Sequence, residues 1–382
     1  MTQTIVRLYD RSNFEELPWP NTVEAKETRA FLTPLIQDGV GKYIDNIHTS
    51  LMALCVDNLV LPISINDAEY ANSYVCSPYG QYVLYAAESI SSLKKRWWTS
   101  SLQFLIKGLG VALRGGKINK VVIVNNWFFS TNLYPNLSEE QVSEIRRVLE
   151  ERFPDHAIMF RSIHTYQEDT LFRSLKNQHF NLIASRQVFF LNTQKEEIFN
   201  SRLFKSDFKL LRESAYETIS CDHLSEQDAP RITSLYRSVY LNRHSQLNPQ
   251  LNEDFMRLVI RSKILKFRGL KKDGDLEAIV GHYTREGVFN CPLLGYDIDR
   301  SPQDKLYRLT STILTLKAKE EKTIFHLSSG ASFFKKIRKA EGNIEYHAVY
   351  HRHLPYYRRL PWTILKGVSN SIGIPFMRYY DK

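Results

Sequence analysis

Apolar positions along this 382-residue chain run together or alternate in some stretches and recur every three to four residues in others, the marks of strands and helices respectively. Ser50–Val56 and Leu59–Ile65 are apolar β-formers on either side of Asp57-Asn58, which predicts a hairpin. Tyr74–Ala87 reads as a second strand pair, broken at Pro78-Tyr79-Gly80. Ser89–Leu113 has helical spacing, with Trp97, Phe104 and Leu105 among its apolar positions, and Arg114-Gly115-Gly116 ends it. Lys120–Thr131 predicts a strand whose first half is uniformly apolar, as in a sheet covered on both faces. Ser138, followed by Glu139, Glu140 and Gln141, forms a capping box that opens a helix with Val142, Ile145, Leu149 and Phe153 on one face. A strand at His156–Ser162, a short helix around Leu171, Phe172 and Leu175, and a strand at Phe180–Leu191 follow.

The second half repeats this order loosely. Helical stretches at Ser225–Tyr240 and Asn252–Lys263 precede strands at Leu265–Leu270 and Leu276–Thr284, hinged at Lys272-Asp273-Gly274. Val288–Tyr296 is a third strand, and Asp304–Lys322 a helix with Leu306, Leu309, Ile313 and Leu316 on its face. Then come a strand at Thr323–Ser328, a helix at Ser332–Ala340 and a strand at Asn343–His351. No residue-level repeat links the halves; the similarity lies in element order. The expected fold class is α/β: two tandem lobes, each a mixed, mainly antiparallel sheet flanked by helices. Their bounds are an arm or edge segment at 1–25, lobes at 26–200 and 215–355 around a linker near 195–225, and a basic aromatic tail at 356–382.

Length supports two lobes, because single cores stop growing at about 250–300 residues. Hydrophobic residues (43%) are numerous enough for sizeable cores, so disorder is not expected over most of the chain. The four cysteines form no CxxC, which argues against a zinc ribbon or a disulfide framework and leaves no metal expected. The first twenty residues lack a basic segment followed by an apolar one, and no run reaches the ~18 apolar residues of a membrane span. A cytoplasmic protein is the resulting expectation. The net charge of +10 favours anionic partners without choosing among nucleic acid, phosphate-bearing cofactors, acidic carriers and anionic lipid.

Segments KFRGLKKDGDLEAIVGHYTREGVFNCPLLGYD and TIFHLSSGASFFKKIRKAEGNIEYHAVYHRHLP, with the helix from Asp304 between them, give the second half a resemblance to the GNAT acyltransferase superfamily. Within it they are similar to the tandem-lobed Fem-like and related acetyltransferase families. VVIVNNWFFSTNLYP and the segment through FRSIHTYQEDTLFRSLKNQHFNLIASRQVFF resemble the other lobe, so the resemblance covers about residues 45–355. It implies two GNAT-like lobes and transfer of an acyl group from a thioester or ester donor to an amine, with no tightly bound cofactor. Acyl-CoA or an acyl-carrier protein is then the co-substrate, and Lys335 sits near the place where many relatives carry a Lys after a glycine. The family's pyrophosphate turn, Gln/Arg-x-x-Gly-x-Gly/Ala, has no counterpart in Asp299–Lys305 or Asn132–Ser138, neither of which contains glycine. Ordinary acetyl-CoA use is therefore not expected; relatives that take aminoacyl-tRNA or a carrier-bound acyl group relax this turn.

Acyl transfer to an amine needs a base and an acid. Tyr346, His282 and Asp297 are the catalytic candidates, each on or beside a strand of the second lobe. Tyr346 and His347 point to opposite faces of one strand and cannot share a site. Ser328-Ser329-Gly330 follows a strand and precedes a helix, so its hydroxyls and N–H groups suit an oxyanion or phosphate; Ser329 also suits a helix cap. Arg161 and Arg186 are candidates for an anionic ligand, with Glu168 and Asp169 as alternative local partners. Cys291, a lone Cys before Pro292, reads as a small buried hydrophobe. No phosphate loop, HExxH, GxSxG or usable GxGxxG is present. The tail mixes Arg352, Arg358, Arg359, Lys366, Arg378 and Lys382 with aromatic residues, against Asp381 alone. An acidic carrier, RNA or an anionic membrane surface suits it; so does packing of Trp362, Ile364 and Leu365 onto the second lobe. Three classes remain: an N-acyltransferase acting on a small-molecule amine, an aminoacyl-tRNA-dependent transferase, and a binding protein on a degenerate fold of this kind.

Overall fold

The uniformly apolar run VVIV forms a strand with all four side chains buried in the computed structural model, which describes residues 4–91, 97–166, 170–300 and 302–380. Numbered in chain order, the strands of the first half are β1 (Val6–Tyr9), β2 (Ser50–Val56), β3 (Leu59–Asn66), β4 (Val121–Val124), β5 (Ala157–Ile163) and β6 (Asn181–Asn192). Those of the second half are β7 (Glu217–Ser220), β8 (Lys266–Lys272), β9 (Asp275–Arg285), β10 (Val288–Tyr296), β11 (Ile324–His326) and β12 (Glu341–Tyr350). Helices α1 (Val23–Asp38), α2 (Ala86–Ser91), α3 (Trp97–Gly115), α4 (Glu139–Arg152), α5 (Thr170–Asn177), α6 (Glu196–Asn200) and α7 (Arg202–Arg212) come first. They are followed by α8 (Ala229–Arg237), α9 (Glu253–Ser262), α10 (Leu306–Glu320), α11 (Ser332–Lys336), α12 (Tyr356–Val368) and α13 (Ile374–Tyr380). The protein is a mixed α/β fold.

The chain divides into two units. The first comprises the residues up to Arg186, Leu247–Gln250 and Ile344–Tyr380, and the second Gln187–Gln246 and Leu251–Asn343. In the first, strand order is β1-β2-β3-β4-β5-β12-β6, antiparallel as far as β4, parallel from β4 to β5, and antiparallel from β5 to β12. In the second it is β7-β8-β9-β10-β11-β6, antiparallel as far as β10, parallel from β10 to β11, and antiparallel from β11 to β6. The same pairing sequence therefore occurs in each.

Alternation along the central strands explains the apolar runs. Val122 and Val124 of β4, with Ile158 and Phe160 of β5, face a core completed by Val142, Ile145 and Leu149 of α4. Val121 and Ile123, with Ala157 and Met159, face the other way into a core completed by Leu109 and Leu113 of α3 and Trp362 and Leu365 of α12. A strand covered on both sides has no polar face to show, hence its uninterrupted apolar sequence. Turn chemistry holds where it was legible. Asp57 has φ 51° between β2 and β3, Asp273 and Gly274 have φ 54° and 91° between β8 and β9, and Ser138 and Gln141 close a reciprocal capping box on α4.

Several expectations are corrected. Tyr74–Ala87 is not a strand pair: Ser77 Oγ accepts the Gly80 N–H at 2.8 Å, and Pro78 opens a helix that passes through a π-helical stretch, Gly80–Tyr85, into α2. Pro is compatible with a first helical turn, where its missing N–H is not needed. The strand expected over Lys120–Thr131 stops at Val124, where Asn125 (φ 56°) and then Phe128 (φ 62°) turn left-handed. In the predicted helix Ser89–Leu113, residues 92–96 lie outside the described ones, and Phe104 is 80% exposed rather than packed. Residues 195–225, expected as a linker, carry α6, α7 and β7, with Ile198 and Phe199 in a core.

The basic aromatic segment is helical, and it belongs with the first unit. Trp362 and Leu365 are fully buried there, and buried Arg358 donates to the carbonyls of Gly116 (2.7 Å), Asp155 (3.2 Å) and Lys117 (3.3 Å). Gly116 is required by this docking, since a Cβ there would lie 2.3 Å from Pro361. No helix among the described residues is long and apolar enough to cross a membrane. Trp362→Ala should cost about 3–5 kcal/mol, read as a lowered urea midpoint. Deleting residues 356–382 should leave no stably folded first unit in limited proteolysis; a resistant fragment covering residues 4–186 would contradict this packing.

Candidate functional site

In the second unit, β10 and β11 are paired only at Val288–Asn290 with Ile324–His326. Beyond that point β11 continues along β6, where Phe189 N–H donates to Ser328 O and Leu327 N–H to Phe189 O. β10 instead bulges between Asn290 and Leu293 and follows β9 to Tyr296. The two parallel strands therefore fork, and the last residues of β10 have an edge without a β11 partner. Fully buried Asn290 pins the fork, its amide donating to His326 O at 2.8 Å and Ser328 Oγ at 3.2 Å.

The turn after β11 is strained and braced. Ser328, Gly330 and Ala331 have φ 56°, 78° and 48°, and the buried Lys335 ammonium donates to the carbonyls of Leu327 (2.7 Å), Ser328 (3.2 Å) and Ser329 (2.9 Å). Lys335 thus holds the loop shape. Ser329 is exposed, and the residue before α11 is Ala331, so Ser329 is not its cap. α10, which follows the carboxyl end of β10, opens without a side-chain cap after Lys305, a left-handed residue (φ 52°). Its first internal bond is from the Arg308 N–H to Lys305 O (2.8 Å), and the N–H groups of Leu306 and Tyr307 ahead of it, with the positive dipole end, favour an anion.

His282 and Asp297 are not brought together. The Asp297 N–H bonds to Glu277 O, five residues and about 17 Å along β9 from His282. His282 is buried and stacked on Phe289 with ring centroids 4.7 Å apart, and burial pulls its pKa down to about 4. Burial pushes the Asp297 carboxyl up, but hydrogen bonds from Arg231 (2.9 Å) and the Asp299 amide (3.0 Å), with the charges of Arg231 and Arg300, hold it below the ordinary carboxylate range. Tyr346 belongs to the first unit, edge-on to Phe172, with its hydroxyl pushed up by burial. Cys291 Sγ donates to Leu293 O, and burial pushes the thiol up to about 12, so it stays protonated. A narrow cavity of about 20 Å³ beside Leu327 and Lys335, bounded by the ion pair of Asp207 with Arg338 (2.7 Å), has room for about one water.

In the first unit the equivalent parallel pair, β4 and β5, is sealed by its own chain. Trp127, Phe128 and Phe129 are buried, and Asn126 donates to Ser64 Oγ (2.9 Å) and Val75 O (3.1 Å). Both candidate arginines hold this plug. Arg161 donates to Asn126 Oδ1 (3.3 Å) and Phe129 O (3.4 Å), and Arg186 to Ser130 O (2.6 Å) and Thr131 Oγ1 (3.0 Å). Arg186 also makes a bidentate pair with buried Glu345, at 2.8 and 3.1 Å. The alternative partners Glu168 and Asp169 lie outside the described residues. Beside them His347 bridges the Tyr82 hydroxyl (3.1 Å) and Ser185 Oγ (3.2 Å), held neutral far below its usual range by burial and the two arginines. Sequence reasoning missed Glu345, Asn290 and the plug. Asn125-Asn126 directly after an apolar strand was the readable signal that the chain turns there.

No family model matches the chain, and no curated protein matches it. Among solved structures it is similar to FemX at 7% identity over 93% of this chain and 97% of that one, TM-score 0.48. It is similar to L-PGS from Bacillus licheniformis at 13% identity over 60% and 78%, TM-score 0.44. To a GCN5-related N-acetyltransferase from Kribbella flavida it is similar at 10% identity over 60% and 81%, TM-score 0.33.

Among the described residues no group of His, Cys, Asp and Glu is placed to hold a metal. Arg186→Met leaves Glu345 buried without its cation and should cost roughly 3–5 kcal/mol, whereas Arg186→Met with Glu345→Leu should recover part of that. Equal urea midpoints for the single and double variants would count against the pair. For His282 the folded pKa lies below the ~6.5 of an exposed histidine. Stability is therefore intact above that value and lost as pH falls toward 4. His282→Phe should reduce the stability lost between about pH 7 and about pH 5 by roughly 1–2 kcal/mol, measured by urea midpoints at both.

Proposed function

We propose that the chain is an acyl- or aminoacyl-transferase made of two tandem GNAT-like lobes, with the donor taken at the fork of the second unit and an amine as acceptor. The carrying observation is the fork itself: β10 parts from β11 after three paired residues and feeds, past Lys305, into a helix whose first turn is uncapped. Diverging parallel strands place a ligand beyond their carboxyl ends. On this reading the β10 residues without a β11 partner offer main-chain groups to an extended, amide-bearing arm. The uncapped end of α10 offers N–H groups to a phosphate or carbonyl oxygen.

The donor on this reading is an acyl thioester or ester borne by a carrier protein or a tRNA, because the turn at Asp299–Lys305 lacks the glycines of a close pyrophosphate cradle. The acceptor amine attacks the carbonyl carbon, the carbonyl π electrons move to oxygen, and collapse expels the thiolate or alkoxide, which takes up the proton that the amine nitrogen gives up. Binding without catalysis is favoured by one observation: neither His282 nor Asp297 is available as a base, the first buried and the second ion-paired.

Incubation of the full chain with acetyl-CoA, an acyl-carrier protein and aminoacyl-tRNA, followed by mass spectrometry of added amines, tests both readings. Transfer from a carrier or tRNA is expected, with no micromolar affinity for acetyl-CoA. Lys305→Asp puts a negative charge at the end of α10 and should weaken donor binding about tenfold without lowering the melting temperature. Undiminished donor binding in that variant would sink the placement of the site, and binding without turnover from all three donors would favour the non-catalytic reading.

A further inference from the structure

We propose that the first unit carries a docking face for an anionic phospholipid bilayer, formed by the outward sides of α3, α12 and α13. This rests on the first unit alone and is independent of the transfer reaction.

α3 and α12 pack on one core, through Leu109 and Leu113 of the former and Trp362 and Leu365 of the latter, so they cover the same face of the sheet. Their outer sides are not polar. Phe104 and Val111, two turns apart on α3, are 80% and 75% exposed. On α12 the outer row is Tyr357, Leu360 and Ile364, all exposed, and Ile372 and Tyr379 continue it through the π-helical stretch Ser369–Gly373 and α13. These elements hold eight of the fifteen exposed large hydrophobic residues among those described, counting Tyr356, so the apolar surface is concentrated rather than scattered.

Charge selects the partner. Residues 89–138 and 346–380 contain no Asp or Glu, although the chain has 41. The exposed charges on these helices are cationic: Lys107 and Arg114 on α3, Arg359 on α12 and Arg378 on α13. The acids that bracket these stretches in sequence are Glu88 on the neighbouring α2, Glu139, the buried Glu345 and Asp381. An open groove of about 650 Å³ runs along α3, lined by Val83, Leu84, Ile106 and Val111 together with Lys107 and Arg114. Apolar side chains flanked by cations without acids match a layer whose anionic headgroups overlie hydrocarbon. A nucleic acid would use the cations and leave the aliphatic residues exposed to water, which is why a lipid surface is the better fit.

The test is flotation of the full chain with vesicles of phosphatidylglycerol and phosphatidylcholine, against phosphatidylcholine alone, at ~0.15 M and ~1 M salt. Binding to the anionic vesicles, weakened by salt, is expected. The Phe104→Ser/Val111→Ser and Leu360→Ser/Ile364→Ser variants, each with unchanged circular dichroism, should each bind about tenfold less; Lys107→Glu/Arg359→Glu should do the same at the lower salt. The proposal is overturned if the protein does not float with anionic vesicles, or if both apolar variants float as well as the parent. Capture by RNA or an acidic carrier protein, lost in the same variants while vesicles rise without the protein, also overturns it.

Discussion

Two parallel strands that part from one another strand the polar groups that had joined them, and every such group must find another partner or face a ligand. Both units meet this constraint, between β4 and β5 and between β10 and β11, and they meet it differently. The first unit fills the opening with Asn125–Asn132 of its own chain, whose amides and carbonyls are taken up by Ser64, Val75, Arg161 and Arg186. The second unit pins the branch point with Asn290, braces the following turn with Lys335, and leaves the last residues of β10 without a β11 partner. Similar pairing thus yields a branch filled by loop backbone in one case and a branch pinned by a single amide in the other.

Sealing the first unit requires buried charge, and buried charge dictates its surroundings. Arg186 is stable in the interior because Glu345 presents two oxygens to its fork while Ser130 and Thr131 take the remaining N–H. Arg161 has no carboxylate in ion-pair range among the described residues, and it uses an amide oxygen and a carbonyl instead. With two guanidiniums nearby, His347 stays neutral and serves as a hydrogen-bond bridge. Arg186 and Glu345 are bonded to each other, and Arg161 and His347 are coupled to them through charge alone.

What the sequence made legible was whatever is decided locally. Asp57-Asn58, Asp273-Gly274 and the Ser138–Gln141 box each depend on residues within a few positions, and each is where the pattern put it. Ser77-Pro78 was also a local signal, but an ambiguous one: Pro breaks a strand and opens a helix equally well, and only the bond from Gly80 to Ser77 decides. Longer-range facts were not legible. Arg186 meets Glu345 across 159 positions, and Arg358 reaches Gly116 across 242. Phe104 is one of the apolar positions that mark a helix, yet α3 is apolar on more than one side, and periodicity alone does not say which side faces the core.

The ionisable groups of the second unit limit how a transfer reaction at the fork could be helped. His282 is neutral and buried on the sheet, Asp297 is committed to Arg231, and the Cys291 thiol is protonated. On the proposed reading, none of the three acts as base or nucleophile. Beside these three, the fork offers geometry: the β10 residues without a β11 partner to align an extended donor, the strained turn at Ser328–Ala331 held by Lys335, and the dipole of α10. Positioning of this kind can account for a large part of an acyl-transfer barrier, about 7–11 kcal/mol in favourable intramolecular cases, provided the amine arrives unprotonated. A thioester is activated enough for such assistance to suffice, whereas an amide is not. Donors that already carry an activated acyl group are therefore the class this arrangement can serve.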